Sequence, residues 1–194
     1  MRDITRLGLI LMIISAVAAG SLALTNDATT AKIAAQEVEA KMGALGQVMP
    51  GEGVKFSDVT STVQGNLSAF PDVEEVWVGE SAGKKQGLIV VVAPVGYADR
   101  IRTMVALDTT GKVLGMKVLS QSETPGLGTK STDPQWQKQF VGKQAGKNLE
   151  VVKQAPTADQ IQAITAATIS SKAVTSGINQ AFGLFKQISG EVLK

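Results

Sequence analysis

The longest apolar run in the chain extends from Leu7 to Leu24, and no charged residue occurs between Leu7 and Asn26. At about 1.5 Å per residue, a helix of that length spans about 30 Å, the thickness of a bilayer's hydrocarbon core. The pattern predicts a transmembrane helix over residues 7–26. Arg2 and Arg6 precede it, Asp27 follows it, and the next lysine is Lys32. The positive-inside bias then puts residues 1–6 in the cytoplasm and the remainder of the chain on the extracytoplasmic face. Ser21-Leu22-Ala23 keeps a cleaved signal peptide as the alternative, which the length of the apolar run opposes.

Beyond the anchor, Ile33, Val38, Met42, Leu45 and Val48 recur at steps of three to five residues among Lys, Gln and Glu. This predicts an amphipathic helix over residues 27–50, clearest from Thr30 to Met49 and closed by Pro50-Gly51. From Gly51 to Phe70 no period stands out, and the stretch reads as irregular. Val73 to Gly79 and Gly87 to Val95 are rich in Val and Ile around the polar loop Glu80 to Lys85, which reads as a hairpin. Ile101 to Asp108 and Val113 to Ser120 repeat the pattern around Thr109-Thr110-Gly111-Lys112. Asp133-Pro134 opens a short helix through Trp136 and Phe140, with Thr132 or Asp133 as its cap; both aromatic residues read as core. From about Ser170 to Ile188, the residues Val174, Ile178, Ala181, Phe185 and Ile188 fall on one helical stripe that must pack on the strands. The expected architecture is α+β: a transmembrane helix, then one domain over residues 51–194 in which helices pack on an antiparallel sheet.

Composition narrows the chemistry. The chain has no cysteine and no histidine, which excludes zinc fingers, cysteine-ligated clusters, histidine-ligated haem and Ser/His or Cys/His dyads. No metal site is expected, and redox chemistry would have to come from an organic cofactor. The formal charge of +2 is spread without a basic stripe carrying interleaved aromatics, so nucleic acid is not an expected partner.

Two polar segments remain after the elements are assigned. Glu123-Thr124-Pro125-Gly126-Leu127-Gly128-Thr129-Lys130 is a loop whose glycines let backbone approach a ligand closely. Ile164-Thr165-Ala166-Ala167-Thr168-Ile169-Ser170-Ser171 puts four hydroxyls directly before the last helix. One reading makes Thr168, Ser170 and Ser171 caps of that helix, a role that stabilises a helix by about 1 kcal/mol. The other holds an anionic group such as a phosphate at the helix N-terminus. A single cap does not require four hydroxyls.

Taken in order, Glu123 to Gly128, then Trp136-Gln137-Lys138-Gln139-Phe140-Val141-Gly142-Lys143, then Thr165 to Val174 resemble the FMN-binding domain of the G subunit of the Rnf electron-transport complex. The C subunit of the sodium-pumping NADH:quinone reductase shares that domain. The anchor, the following helix, Gly96-Tyr97 and the strand order also fit the Rnf protein. The resemblance implies FMN joined by a flavin transferase through a phosphoester to a threonine, within the pattern Asp-x-x-Ser/Thr-Gly-Ala-Thr. Aligned on its last residue, that threonine is Thr168, with Thr165 at the earlier hydroxyl position and Ala167 between. Gln162 stands in place of the aspartate and Ala166 in place of the glycine, while Asp159 is a nearby carboxylate. If residue 166 is left-handed, alanine costs about 1–2 kcal/mol there; if the glycine serves only close approach of the transferase, the extra methyl slows modification. By the same resemblance, Thr124, Gly126, Leu127 and Gly128 flank the flavin ring, and Ser170 and Ser171 hold the phosphate. Glu123 is either a solvated loop carboxylate or a flavin contact, and Lys130 either a surface charge or a flavin contact.

The implied role is an electron-carrying subunit, without a substrate site of its own, in an ion-translocating ferredoxin:NAD oxidoreductase of a bacterial or archaeal cytoplasmic membrane. Its partners would be the other membrane subunits of the complex and, during maturation, the transferase. The alternatives are an anchored scaffold module without flavin, which Gln162 and Ala166 keep open, and the corresponding quinone-reductase subunit.

Overall fold

The computed structural model describes residues 2–194. Met1 lies outside the described residues, as do the side chains of Arg2 and Asp27, which contribute to the charge flanks of the apolar run. The chain forms two compact units, one ending at Met42 and the other Gly43–Lys194. Helix α1, Arg2–Val48, is continuous, so the expected boundary between residues 26 and 27 is not a break in the helix. No proline interrupts it before Pro50. The hydroxyls of Ser21, Thr25, Thr29 and Thr30 donate to the carbonyls of Val17, Ser21, Thr25 and Asn26 at 2.7–2.9 Å, which satisfies them within the helix itself. Ile4–Thr30 is long and apolar enough to cross a membrane. Of the amphipathic stripe expected beyond it, Ile33, Val38 and Met42 are exposed, whereas Leu45 and Val48 are buried.

The second unit is built on a five-stranded antiparallel sheet in simple meander order: β1 Lys55–Asp58, β2 Val73–Ser81, β3 Lys84–Val92, β4 Arg102–Asp108 and β5 Val113–Ser120. The four strands read from the sequence are present, and β5 has the expected bounds. The supposed loop at 80–85 is instead a tight turn. Ser81 pairs with Lys84, and Ala82 and Gly83 both have positive φ, +51° and +74°, as a right-twisted two-residue hairpin requires. β1 occupies part of the stretch expected to be irregular; it is a short edge strand, mostly exposed, so it carries no apolar alternation. A four-residue helix α2, Gln64–Leu67, follows it.

Leu88–Val92 of β3 is an unbroken apolar run because both faces of the sheet are covered there. Val76, Val78, Leu88, Val90, Val105 and Leu107 belong to the main core with the last helix, α4 (Thr168–Val192), through Val174, Ile178, Ala181, Phe185 and Ile188. This is the expected stripe. On the other face, Ile89, Val91, Met104 and Ala106 pack with Ala44, Leu45, Val48 and Met49. Gly115 of β5 allows the close approach, since a Cβ there would sit 2.7 Å from the Val48 carbonyl oxygen.

Between β5 and α4 lie helix α3, Pro134–Gln137, and two three-residue strands, β6 Glu150–Val152 and β7 Gln160–Gln162, paired in parallel. Asp133 caps α3 by accepting from Gln135 N at 2.8 Å. Trp136 and Phe140 are buried edge to face at 5.2 Å between ring centroids, as core residues. Trp136 Nε1 donates to Gln162 O at 2.8 Å and so ties α3 to the strand that leads into α4.

Candidate functional site

Three chain segments converge at the N-terminal end of α4: the β3–β4 connection around Gly96–Ala98, the loop after β5 and the residues that enter the helix. A single side chain joins them. Glu123 is 4% exposed. Its Oε1 accepts from the backbone N–H groups of Tyr97 and Ala98 at 3.0 and 2.9 Å, and its Oε2 accepts from the Ser170 hydroxyl. The open choice for this residue is thereby decided against a solvated loop carboxylate. Burial by itself would raise the Glu123 carboxyl; the hydrogen bonds from Ser170 and from Ala98, Tyr97 and Asp99 outweigh it and hold the group below the ordinary carboxylate range. Two glycines make room for it. A Cβ on Gly96 would meet Oε1 at 2.5 Å, and one on Gly128 would meet both Oε2 and the Ser170 Oγ at 2.6 Å.

The loop after β5 folds on itself. Leu127 N donates to Thr124 O at 3.1 Å, with Pro125 second and Gly126 third in the turn at φ +77°. Gly126 N is further tied to Thr129 Oγ1 at 2.9 Å. Facing it is a second turn, Ile164 to Ala167, closed by Ala167 N to Ile164 O at 3.0 Å, in which Ala166 takes the third position at φ +62°. Ala166 is therefore left-handed and bears the associated cost of about 1–2 kcal/mol.

The two turns and the first turn of α4 bound an open cleft of about 590 Å³. Thr124, Leu127 and Gly128 line it from one side, and Ala166, Ala167 and Thr168 from the other. Glu123 and Ser170 line it as well, together with Tyr97 and Ile169, which remain largely exposed at 70% and 55%. Sequence reasoning did not assign Tyr97 or Ile169 to the site; Tyr97 entered only as part of the family resemblance. Gly126, Lys130, Thr165 and Ser171 do not line the cleft. Gly126 shapes the turn, Lys130 and Thr165 are exposed, and Ser171 is buried behind it. Neither Gln162 nor Asp159 lines it, and Asp159 pairs with Lys147 at 2.9 Å.

None of the hydroxyls caps α4. Its N-cap is Ala167, with no side-chain bond to the helix N-terminus. Ser170 donates to Glu123. Ser171 Oγ accepts from Ile164 N and donates to Ala167 O, both at 2.9 Å, and so fastens the preceding turn to the helix. The hydroxyls expected to hold a phosphate are thus engaged within the chain. What faces the cleft is the start of a 25-residue helix. Its first N–H groups, on Thr168, Ile169 and Ser170, precede the bond from Ser171 N to Ala167 O at 3.0 Å. Among the described residues the Thr168 hydroxyl makes no hydrogen bond. The first N–H groups of α4 are the groups that could receive a phosphate, and Leu127, Ile169 and Tyr97 offer apolar walls for a planar ring.

Residues 96–183, which include all three converging segments, match the family model of the FMN-binding domain, and residues 1–48 match that of the RnfG N-terminal region. The G subunit of the Na(+)-translocating ferredoxin:NAD(+) oxidoreductase complex of Acetobacterium woodii is 38% identical over 192 residues, 95% of this chain and 92% of that protein. The chain belongs to the family of Rnf G subunits. The G subunit of the ion-translocating oxidoreductase complex of Shewanella oneidensis is 32% identical over 196 residues, covering 95% of this chain and 91% of its own. The crystal structure of NqrC from Shewanella oneidensis shares the fold, with a TM-score of 0.55 at 24% identity over 60% of this chain and 59% of that one. Within this member of the Rnf family, the cleft lies wholly inside the unit that begins at Gly43.

Because the Glu123 carboxyl is held below its ordinary range, its contribution to stability is complete above that range and is lost as pH falls through the folded-state value. Glu123→Gln is expected to lower the unfolding free energy by about 2 kcal/mol at pH 7, the size of a charge-assisted hydrogen bond. The gap to the parent should narrow steadily on acidification. Denaturant titrations at pH 7 and pH 3 measure it, and a gap that persists or widens at pH 3 contradicts the ionised clamp.

Proposed function

We propose that this Rnf protein carries FMN covalently, through a phosphoester to Thr168, and relays electrons in a membrane-bound ion-translocating ferredoxin:NAD oxidoreductase complex. One observation carries the choice of attachment point. Of the four hydroxyls in the segment, two are engaged, Thr165 is exposed away from the cleft, and Thr168 lines the cleft and has no hydrogen-bond partner among the described residues. The phosphate would lie against the first N–H groups of α4, where the helix dipole favours an anion. Leu127, Ile169 and Tyr97 would cover the ring. Once bound, FMN supplies one- and two-electron chemistry that a chain without cysteine or histidine cannot supply itself.

The left-handed conformation of Ala166 bears on the scaffold alternative. The turn at Ala166 keeps a positive φ, a conformation glycine adopts readily, which supports retention of the site despite this departure. The other membrane subunits of the complex and a flavin transferase are the expected partners. The apolar segment Ile4–Thr30 supports a single-pass anchor, and the flanking charges favour a cytoplasmic N-terminus with the FMN domain on the extracytoplasmic face.

When the chain is co-expressed with a flavin transferase, Thr168→Val is expected to abolish flavin fluorescence of the denatured polypeptide, whereas Thr165→Val retains it. Ala166→Gly, which relieves the left-handed strain, should label at least as fast as the parent with limiting transferase. Parent-like labelling of Thr168→Val refutes the attachment point. For topology, protease added to cells whose outer barrier has been opened should digest the domain from Thr25 onward; a protected domain reverses the orientation.

A further inference from the structure

The cleft lacks the basic residue that usually accompanies a phosphate site. Glu123 is the one charged residue among those lining it, and Lys130 and Lys172, close to it in sequence, are exposed and do not line it. The carboxylate cannot swing aside. Tyr97 N, Ala98 N and the Ser170 hydroxyl fix both oxygens, and the absent side chains of Gly96 and Gly128 mark how tightly backbone closes around it. Against its full negative charge stands the α4 N-terminus, equivalent to about half a positive charge. The fixed field of the cleft is therefore net negative, and burial of the carboxylate limits its screening by salt.

This field distinguishes two states of one phosphate. Free FMN is a phosphate monoester carrying about −1.5 to −2 charge at pH 7. A phosphodiester, the form an ester to Thr168 would have, carries a single negative charge. We propose that Glu123 is a specificity-determining residue of the cleft, whose fixed carboxylate disfavours the dianionic monoester of free FMN and tolerates the singly charged diester. The inference rests on the covalent reading above and deepens it. The same residue that assembles the cleft keeps free FMN from occupying it, so that the cleft stays open to the transferase and flavin is retained through the bond to Thr168.

The test uses the full-length chain made without transferase, purified in detergent, with three probes: FMN, its methyl phosphodiester and riboflavin. Flavin fluorescence anisotropy measures each affinity at pH 7.5. The parent should bind the diester about tenfold more tightly than FMN, the effect of one extra charge facing a partly screened carboxylate. Glu123→Gln, which retains an oxygen to accept from Tyr97 and Ala98, should bring the two phosphates within about twofold of each other, with riboflavin affinity measured alongside to report any change in the cleft itself. FMN binding to the parent as tightly as the diester, a diester that does not bind, or a preference unchanged in a folded Glu123→Gln overturns the proposal. If Glu123→Gln fails to fold, the comparison of the two phosphates on the parent decides alone. Labelling of Thr168 by the transferase is read separately. Labelling without diester preference refutes the role of Glu123, whereas preference without labelling refutes the attachment and leaves the selectivity standing.

Discussion

The hydrogen bonds of one buried carboxylate hold the candidate site together. Glu123 accepts from the β3–β4 connection through Tyr97 and Ala98 and from α4 through Ser170, while its own backbone starts the loop after β5. Without those bonds, three loops that share no strand pairing would have little to hold them face to face. A buried ionised group is tolerated only when its oxygens are satisfied, and here both are. Its neighbours are constrained in turn: residues 96 and 128 must lack side chains, and Ser170 must keep its hydroxyl toward the carboxylate rather than toward a ligand.

Behind this junction, the sheet and α4 provide a rigid base. β3 and β4 are buried on both faces, against the α4 stripe on one and against Ala44 to Met49 on the other, so the connection between them starts from fixed backbone. Ser171 completes the base by bonding the Ile164–Ala167 turn to the first turn of α4. Thr168 emerges between these two fixed pieces. That position, more than its residue type, distinguishes it from Thr165 three residues earlier.

Much of the fold was legible because burial imposes period. The Val- and Ile-rich strands, the Thr109–Lys112 turn and the stripe of α4 all follow from residues whose surroundings are apolar. β1 was not legible, since an exposed edge strand such as Lys55–Asp58 need not alternate, and neither were the three-residue β6 and β7. The site was legible as a set of segments but not as a set of roles. Glu123, Thr124, Leu127, Gly128, Ala167, Thr168 and Ser170 do meet at the cleft. Whether a serine hydroxyl points at a ligand or at a carboxylate 47 positions away depends on tertiary contact, which no local pattern encodes. The left-handed φ of Ala166 was legible only as a condition attached to the glycine of the resembled pattern, because alanine itself carries no preference for that conformation.

The central claim is that Thr168 carries the flavin, and peptide mapping of the protein purified from cells that contain the transferase tests it most directly. Trypsin cleavage after Lys153 and Lys172 releases a peptide holding Thr157, Thr165, Thr168, Ser170 and Ser171 together. Fragmentation of that peptide is expected to place the FMN mass on Thr168. A flavin mass on Thr165 or on either serine, or a peptide without flavin from a protein that transfers electrons normally, would contradict the account.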